Sequence, residues 1–142
     1  MFLGTHSPRL DDKGRLILPA KFRDKLAGGL VVTRGQERSL SIYPMAAFEQ
    51  RVADLSASAG ASKASRDFLR VLMAGASDEV PDKQGRITVP PALRTYAGLE
   101  RDLAVIGAGD HLEVWDAVTW EAYLAGQEDV FSETSEGVVL GS

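Results

Sequence analysis

A chain of 142 residues, 44% apolar and 25% charged, has the composition of a soluble globular protein and the length for one ordinary domain or two small units sharing a core. It contains no cysteine, which excludes a disulfide framework, a thiolate nucleophile and a cysteine-built zinc site, and which fits a reducing cytoplasm. The net charge of −4 hides a gradient: from Asp110 onward eight acidic residues stand without one Lys or Arg, so residues 1–109 carry +4.

The opening Met1-Phe2-Leu3-Gly4 lacks a basic region followed by an apolar run, and no stretch of about 18 apolar residues follows, so neither a standard secretion signal nor a membrane span is expected. Residues 1–26 hold six basic against three acidic side chains, a locally basic region. Within it lies Leu10-Asp11-Asp12-Lys13-Gly14-Arg15-Leu16-Ile17-Leu18-Pro19. The same pattern returns as Pro81-Asp82-Lys83-Gln84-Gly85-Arg86-Ile87-Thr88-Val89-Pro90, at a constant offset of 71 that also relates Arg23 to Arg94. A fixed offset marks two copies of one structural unit.

Each copy reads as strand, turn, strand and short helix. A three-residue connection places a type I turn before a left-handed residue, where glycine carries no steric cost. Asp12-Lys13-Gly14 and Lys83-Gln84-Gly85 fit, leaving Asp11 opposite Arg15 and Asp82 opposite Arg86 as cross-strand pairs. Leu16 and Leu18, like Ile87 and Val89, alternate with Ile17 and Thr88, so one face turns inward and the arginines lie on the other. Pro19 and Pro90 end the strands and suit the first turn of a helix.

Downstream, Leu30–Thr33 and Leu40–Tyr43 read as strands joined around Arg34-Gly35-Gln36-Glu37, and Leu103–Ile106 and His111–Trp115 answer them in the second copy. Met45, Phe48, Val52 and Leu55 recur at helical spacing behind Pro44. Val118, Trp120, Tyr123 and Leu124 do so behind Asp116, an expected N-cap; both stripes read as packing faces. Ser56–Ser62 reads as a loop of small residues, followed by a helix over Ser65–Met73 with Phe68, Leu69, Leu72 and Met73 on its apolar side. From Gln127 the acidic Ser/Glu/Gly tail lacks the apolar content to fold alone, and Val138-Val139-Leu140 within it has no assigned role. The units are therefore 1–55, a first repeat with its helix; 56–78, a linker and connecting helix; 79–126, a second repeat with its helix; and 127–142, an acidic, flexible tail.

Catalytic apparatus is not visible in the residues. His6 and His111 lack metal-ligand spacing, and Asp11 and Asp12, as strand neighbours, point to opposite faces. Gly107-Ala108-Gly109 leads into a strand rather than the helix a dinucleotide site needs. No enzyme, cofactor or metal is expected.

The doubled motif, with Met1–Gly4, Arg23, Arg94 and Tyr96-Ala97-Gly98-Leu99, closely resembles the MraZ family of bacterial transcriptional regulators, in the AbrB/SpoVT-like superfamily of swapped-hairpin barrels. The resemblance covers nearly the whole chain. It implies an α+β fold, a tandem-duplicated AbrB-like swapped-hairpin β-barrel with peripheral helices. It also implies a cytoplasmic, nucleoid-associated protein that binds double-stranded promoter DNA of the cell-division and cell-wall gene cluster, its own promoter included. The assembly implied is a homo-oligomeric ring, octamer or larger, with Asp11, Arg15, Asp82 and Arg86 on the DNA-facing surface.

The physics of recognition fits that expectation. Arginine can grip guanine O6 and N7 with two parallel hydrogen bonds, for about 1–3 kcal/mol of discrimination, and a two-stranded ribbon fits the major groove. Arg15 and Arg86 are the candidates, unless a structural ion pair with Asp11 and Asp82 consumes them. Lys13, Lys83 and Arg9 are expected on phosphates, which supply affinity without sequence information. Gly14, Gly85, Pro19 and Pro90 shape the hairpins, and Arg23 and Arg94 are expected to make fold-stabilising contacts. A head-to-tail ring presents like surfaces in one direction, which suits short, G-containing direct repeats about one helical turn apart. The competing reading is an antitoxin-like protein-interaction module on the same fold, with the acidic tail engaging a partner.

Overall fold

The computed structural model describes residues 1–59 and 62–134. In chain order the elements are β1 (Thr5–His6), β2 (Arg15–Ile17), a 3-10 turn over Ala20–Phe22 running into α1 (Arg23–Leu26), β3 (Leu30–Arg34) and β4 (Leu40–Pro44). Then come α2 (Met45–Ala59), α3 (Lys63–Ala74), β5 (Ser77–Glu79), β6 (Arg86–Thr88), α4 (Pro91–Tyr96), β7 (Leu103–Gly107), β8 (Leu112–Asp116) and α5 (Ala117–Glu133).

The two copies exchange partners through their entering arms and their post-turn strands, while each downstream hairpin pairs within its own copy. The six-stranded sheet runs β1-β7-β8-β4-β3-β5, so the entering arm of each copy pairs with the hairpin of the other: β1 with β7, and β5 with β3. The hairpins β3–β4 and β7–β8 meet at the centre through β4 and β8. A separate two-stranded ribbon forms from β2 and β6, antiparallel, with Arg15 opposite Thr88, Leu16 opposite Ile87 and Ile17 opposite Arg86. This is the tandem AbrB-like α+β architecture with its hairpins swapped.

The exchange corrects one local expectation. Each turn closes on itself through one narrow rung, Asp11 N–H to Arg15 C=O at 2.8 Å and Asp82 N–H to Arg86 C=O at 3.1 Å, with the turn bond inside it from Gly14 N–H to Asp11 C=O at 3.0 Å and from Gly85 N–H to Asp82 C=O at 2.9 Å. Beyond that rung the arms part: Leu10 bonds to Arg101, while β2 goes to β6. Apolar burial explains the choice, because pairing β2 with β6 places Leu16, Leu18, Ile87 and Val89 in one core with Phe22, Leu26 and Leu93. A self-contained hairpin of these lengths would leave that face half wet.

A smaller cluster of Val31, Tyr43, Phe48 and Leu72 lies on the other side of the sheet, under α2 and α3. Thr33 Oγ1, fully buried, donates to the Leu72 carbonyl at 2.6 Å and ties α3 to β3. The helix α2 runs to Ala59, four residues into the stretch expected as loop, because Ala and Ser do not obstruct a helix and the Ser58 hydroxyl bonds back to Asp54 and Leu55 carbonyls. Asp116 precedes α5 but does not cap it; its carboxylate accepts from Glu100 N–H at 3.1 Å instead.

Two expectations for α5 also change. The helix continues to Glu133, seven residues into the segment read as an unstructured tail, where Gln127, Glu128 and Glu133 are good helix formers and neither Gly nor Pro interrupts. Its stripe is not a packing face along its length: no α5 residue is fully buried, and contact with the sheet is made where Trp120 and Tyr123 meet Trp115, at ring distances of 5.2 and 4.9 Å. Val138-Val139-Leu140 lies outside the described residues.

Candidate nucleic-acid interface

The two turns have the same geometry. Gly14 and Gly85 both sit at φ +76, the left-handed position that closes each turn. Asp11 Oδ1 accepts from the backbone N–H groups of Lys13 and Arg15, each at 2.9 Å, and its Oδ2 accepts from Arg15 Nε at 2.8 Å. Asp82 repeats the pattern with Gln84 N–H, Arg86 N–H and Arg86 Nε at 2.9, 2.9 and 2.8 Å. The carboxylate thus holds the base of the arginine side chain and the turn backbone together.

Those bonds favour the charged form of each aspartate. The Arg15 backbone N–H, aided by its side chain and by Lys13 N–H, holds the Asp11 carboxyl below its ordinary value; Arg86 N–H and Nε do the same for Asp82. A carboxyl whose folded-state pKa is lowered contributes stability above its unfolded pKa and loses it as pH falls through the folded value. Stability should therefore drop on acidification below about pH 4, and a double Asp11→Asn, Asp82→Asn variant should show a shallower drop in thermal melts over that window.

Only Nε of each arginine is engaged, which leaves the outer guanidinium nitrogens without a protein partner among the described residues. Each side chain is 30% exposed. Arg15 and Arg86 therefore keep their outer donors while being aimed by an ion pair, so the pair with aspartate does not consume them. Because Arg15, Ile17, Thr88 and Arg86 alternate with buried Leu16 and Ile87, all four share the outward face of the β2–β6 ribbon. The arginines occupy a diagonal of that face, about 7–8 Å apart for neighbours offset by two residues. Ile17, 49% exposed, stands opposite Arg86 and two residues from Arg15 on the same face, with Thr88 at the fourth corner.

Among the other basic candidates, Lys13 and Lys83 are exposed in the turns. Arg9 is placed differently: it bridges to Asp102, with Nε 3.0 Å from a carboxylate oxygen. That pair is well exposed and weak enough to open.

A cross-repeat contact is not visible in the sequence. Arg94 donates through Nε to Val89 C=O at 3.0 Å and lays its guanidinium on the Gly14 turn, where a Cβ on Gly14 would come within 2.7 Å of Arg94 Cζ. Arg23 does the same to the other tip, bonding Leu18 C=O at 3.1 Å and standing 2.5 Å from where a Gly85 Cβ would be. Each tip is thus backed by an arginine of the other copy. Equal spacing of Arg23 and Arg94 is a visible signal, but the exchange of partners is not. Gly14→Ala combines left-handed strain of about 1–2 kcal/mol with displacement of Arg94, and urea unfolding should report that destabilisation while Gly28→Ala, which meets nothing within 4 Å, stays near neutral.

Pro19 and Pro90 stand just before their helices; Pro19 C=O accepts from Phe22 N–H, and Pro90 C=O from Leu93 and Arg94 N–H. His6 packs edge-on against Phe22, and His111 stacks on Tyr43 at 4.7 Å. No group of three potential metal-ligating side chains occurs among the described residues, and no helix among them is long and apolar enough to cross a membrane.

Known proteins resemble this chain along nearly its whole length. The family model described as "MraZ protein, putative antitoxin-like" matches twice, over residues 1–71 and 72–140. The chain is similar to a protein of Salinispora arenicola, 62% identical over 142 residues, and to one of Kineococcus radiotolerans, 60% identical over 141 residues. A third, from Thermobifida fusca, is 60% identical over 141 residues. In each case 99% of both chains is covered, and each relative is named "Transcriptional regulator MraZ". With its doubled Asp-x-x-x-Arg turn, swapped hairpins and full-length relatives, the chain belongs to the MraZ family.

Proposed function

We propose that this chain is a sequence-specific DNA-binding transcriptional regulator that reads promoter DNA through the outward face of the β2–β6 ribbon. The observation that carries the reading is the placement of Arg15 and Arg86 on one face of one ribbon, each aimed by its aspartate through Nε alone. A spacing of about 7–8 Å is close to two base-pair steps of roughly 3.4 Å. The pair therefore suits two guanines separated by one base pair, with Ile17 beside them able to meet a thymine methyl group. Lys13 and Lys83 add phosphate contacts, and Arg9 joins them when its pair with Asp102 opens.

One ribbon is a small contact, so affinity would come from several held together. Tethered sites multiply affinity by about 10²–10⁴ without new contacts. A homo-oligomeric ring would present its ribbons in one sense along the duplex, matching direct repeats. Following the family resemblance, the target is the promoter of a cell-division and cell-wall gene cluster that includes the regulator's own gene, which would put the protein with the nucleoid in the cytoplasm. Footprinting on that promoter should show G-containing direct repeats about one helical turn, roughly 10 base pairs, apart. A lone palindrome would contradict the arrangement, and a chain that ignores the promoter at moderate salt would favour the protein-interaction module.

A further inference from the structure

The β2–β6 ribbon is built on an approximate two-fold axis. The offset of 71 between the copies carries the rung Arg15–Thr88 onto the rung Arg86–Ile17 and the central rung Leu16–Ile87 onto itself. Bonds flanking the ribbon obey the same exchange: Leu18 N–H donates to Gly85 C=O and Val89 N–H to Gly14 C=O, both at 2.8 Å. Both glycines stand at φ +76, and both arginines meet their aspartates at 2.8 Å. For the arginines alone, a DNA box and the same box turned end for end are therefore one ligand.

A surface of that kind cannot recognise direct repeats, because a direct repeat differs from an inverted one only in the direction of its boxes. Some part of the ribbon must break the exchange. On its outward face one pair does so: position 17 is isoleucine and its counterpart at position 88 is threonine, both exposed. The turns differ as well, with Lys13 answering to Gln84 and Asp12 to Lys83. Contacts from the turns go to phosphates, however, and those hold a protein on the duplex without carrying base sequence.

Ile17 and Thr88 make unlike demands on a base edge. Isoleucine offers only carbon, which suits a thymine methyl group and leaves a covered donor or acceptor unpaired at a cost. Threonine has a hydroxyl that can donate or accept, so it serves a polar base edge. We infer that Ile17 and Thr88 are specificity-determining residues that give the ribbon its direction along the duplex, Ile17 taking the end of the box with a thymine methyl and Thr88 the end with a polar edge. The inference rests on the DNA reading above and names the residues that make its boxes directional.

The test uses the full-length protein and two duplexes. One carries two adjacent promoter repeats as they stand, and the other has the second repeat turned about the base pair between its guanines. The parent should bind the first at least about fivefold more tightly, the cost of one mismatched base pair. Ile17→Thr and Thr88→Ile each make the two ends alike, and each should remove that preference. Combining the two substitutions restores unlike ends with the direction reversed, and it should restore the preference, which a merely structural role would not do. Every substitution keeps a β-branched side chain in an exposed strand position, and thermal melts confirm folding. A parent without preference, single variants that keep it, or a double variant that fails to regain it would overturn the inference; promoter binding that weakens in Arg15→Ala would still leave the DNA reading standing. A parent that binds neither duplex would remove the DNA reading and this inference with it.

Discussion

Replacing Arg15 or Arg86 with alanine should weaken promoter binding by roughly 5- to 150-fold at a single ribbon, the equivalent of one bidentate guanine grip at about 1–3 kcal/mol. The effect should be larger for the assembled protein, where each ribbon's deficit is compounded. Its character matters more than its size. A base-reading arginine discriminates, so both variants should relax specificity at one guanine each while retaining binding to unrelated DNA. Lys13→Ala makes the contrast: removing a phosphate-binding charge should lower binding across sequences and reduce the salt slope by about one. Fluorescence anisotropy on the promoter and on a scrambled duplex, across a salt series, separates these outcomes. Equal weakening on both duplexes would show that Arg15 and Arg86 serve as charge alone.

The largest stability effect should come from Phe22→Ala. Phe22 is fully buried beneath the ribbon, edge-on to Phe2 at 5.2 Å and to His6 at 5.0 Å, with Lys21 Nζ 5.4 Å from its ring centroid. It belongs to the one core that both copies share, with Leu16, Ile87 and Val89. A cavity there cannot collapse without moving the ribbon, so a destabilisation of about 3–5 kcal/mol is expected, a large part of the roughly 5–15 kcal/mol that holds a domain together. Phe22→Leu keeps most of the volume and should cost much less. Urea unfolding gives both values; a midpoint for Phe22→Ala equal to the parent's would mean that the shared core does not hold the ribbon.

Much of this is legible in the residues because the doubled turn has strict chemistry. Glycine at φ +76, aspartate three residues before it and arginine after it leave few alternative conformations, and the strands at Leu30–Arg34 and Leu40–Pro44 are short apolar runs with clear turns between. Partner choice is another matter. Periodicity shows that Leu16 faces a core but not whose core, and only the fold reveals that β2 pairs with β6 and that Arg94 backs the Gly14 turn. Local competition accounts for the remaining differences. Asp116 has the right residue type and position for a cap, yet the Glu100 N–H claims its carboxylate, and Arg9 finds Asp102 across an isolated bridge. The reach of α5 past Gln127 is obscured by its low apolar content, which predicts the absence of a core around it rather than the absence of a helix.

Protection of guanine N7 on the bound promoter, read at single-base resolution with the parent and with each arginine variant, is the sharpest test of whether the β2–β6 ribbon reads bases. Protected guanines should fall in pairs separated by one base pair within each repeat, one member of every pair released by Arg15→Ala and the other by Arg86→Ala. Unprotected guanines, or a pattern that neither variant alters, would contradict base reading by the ribbon.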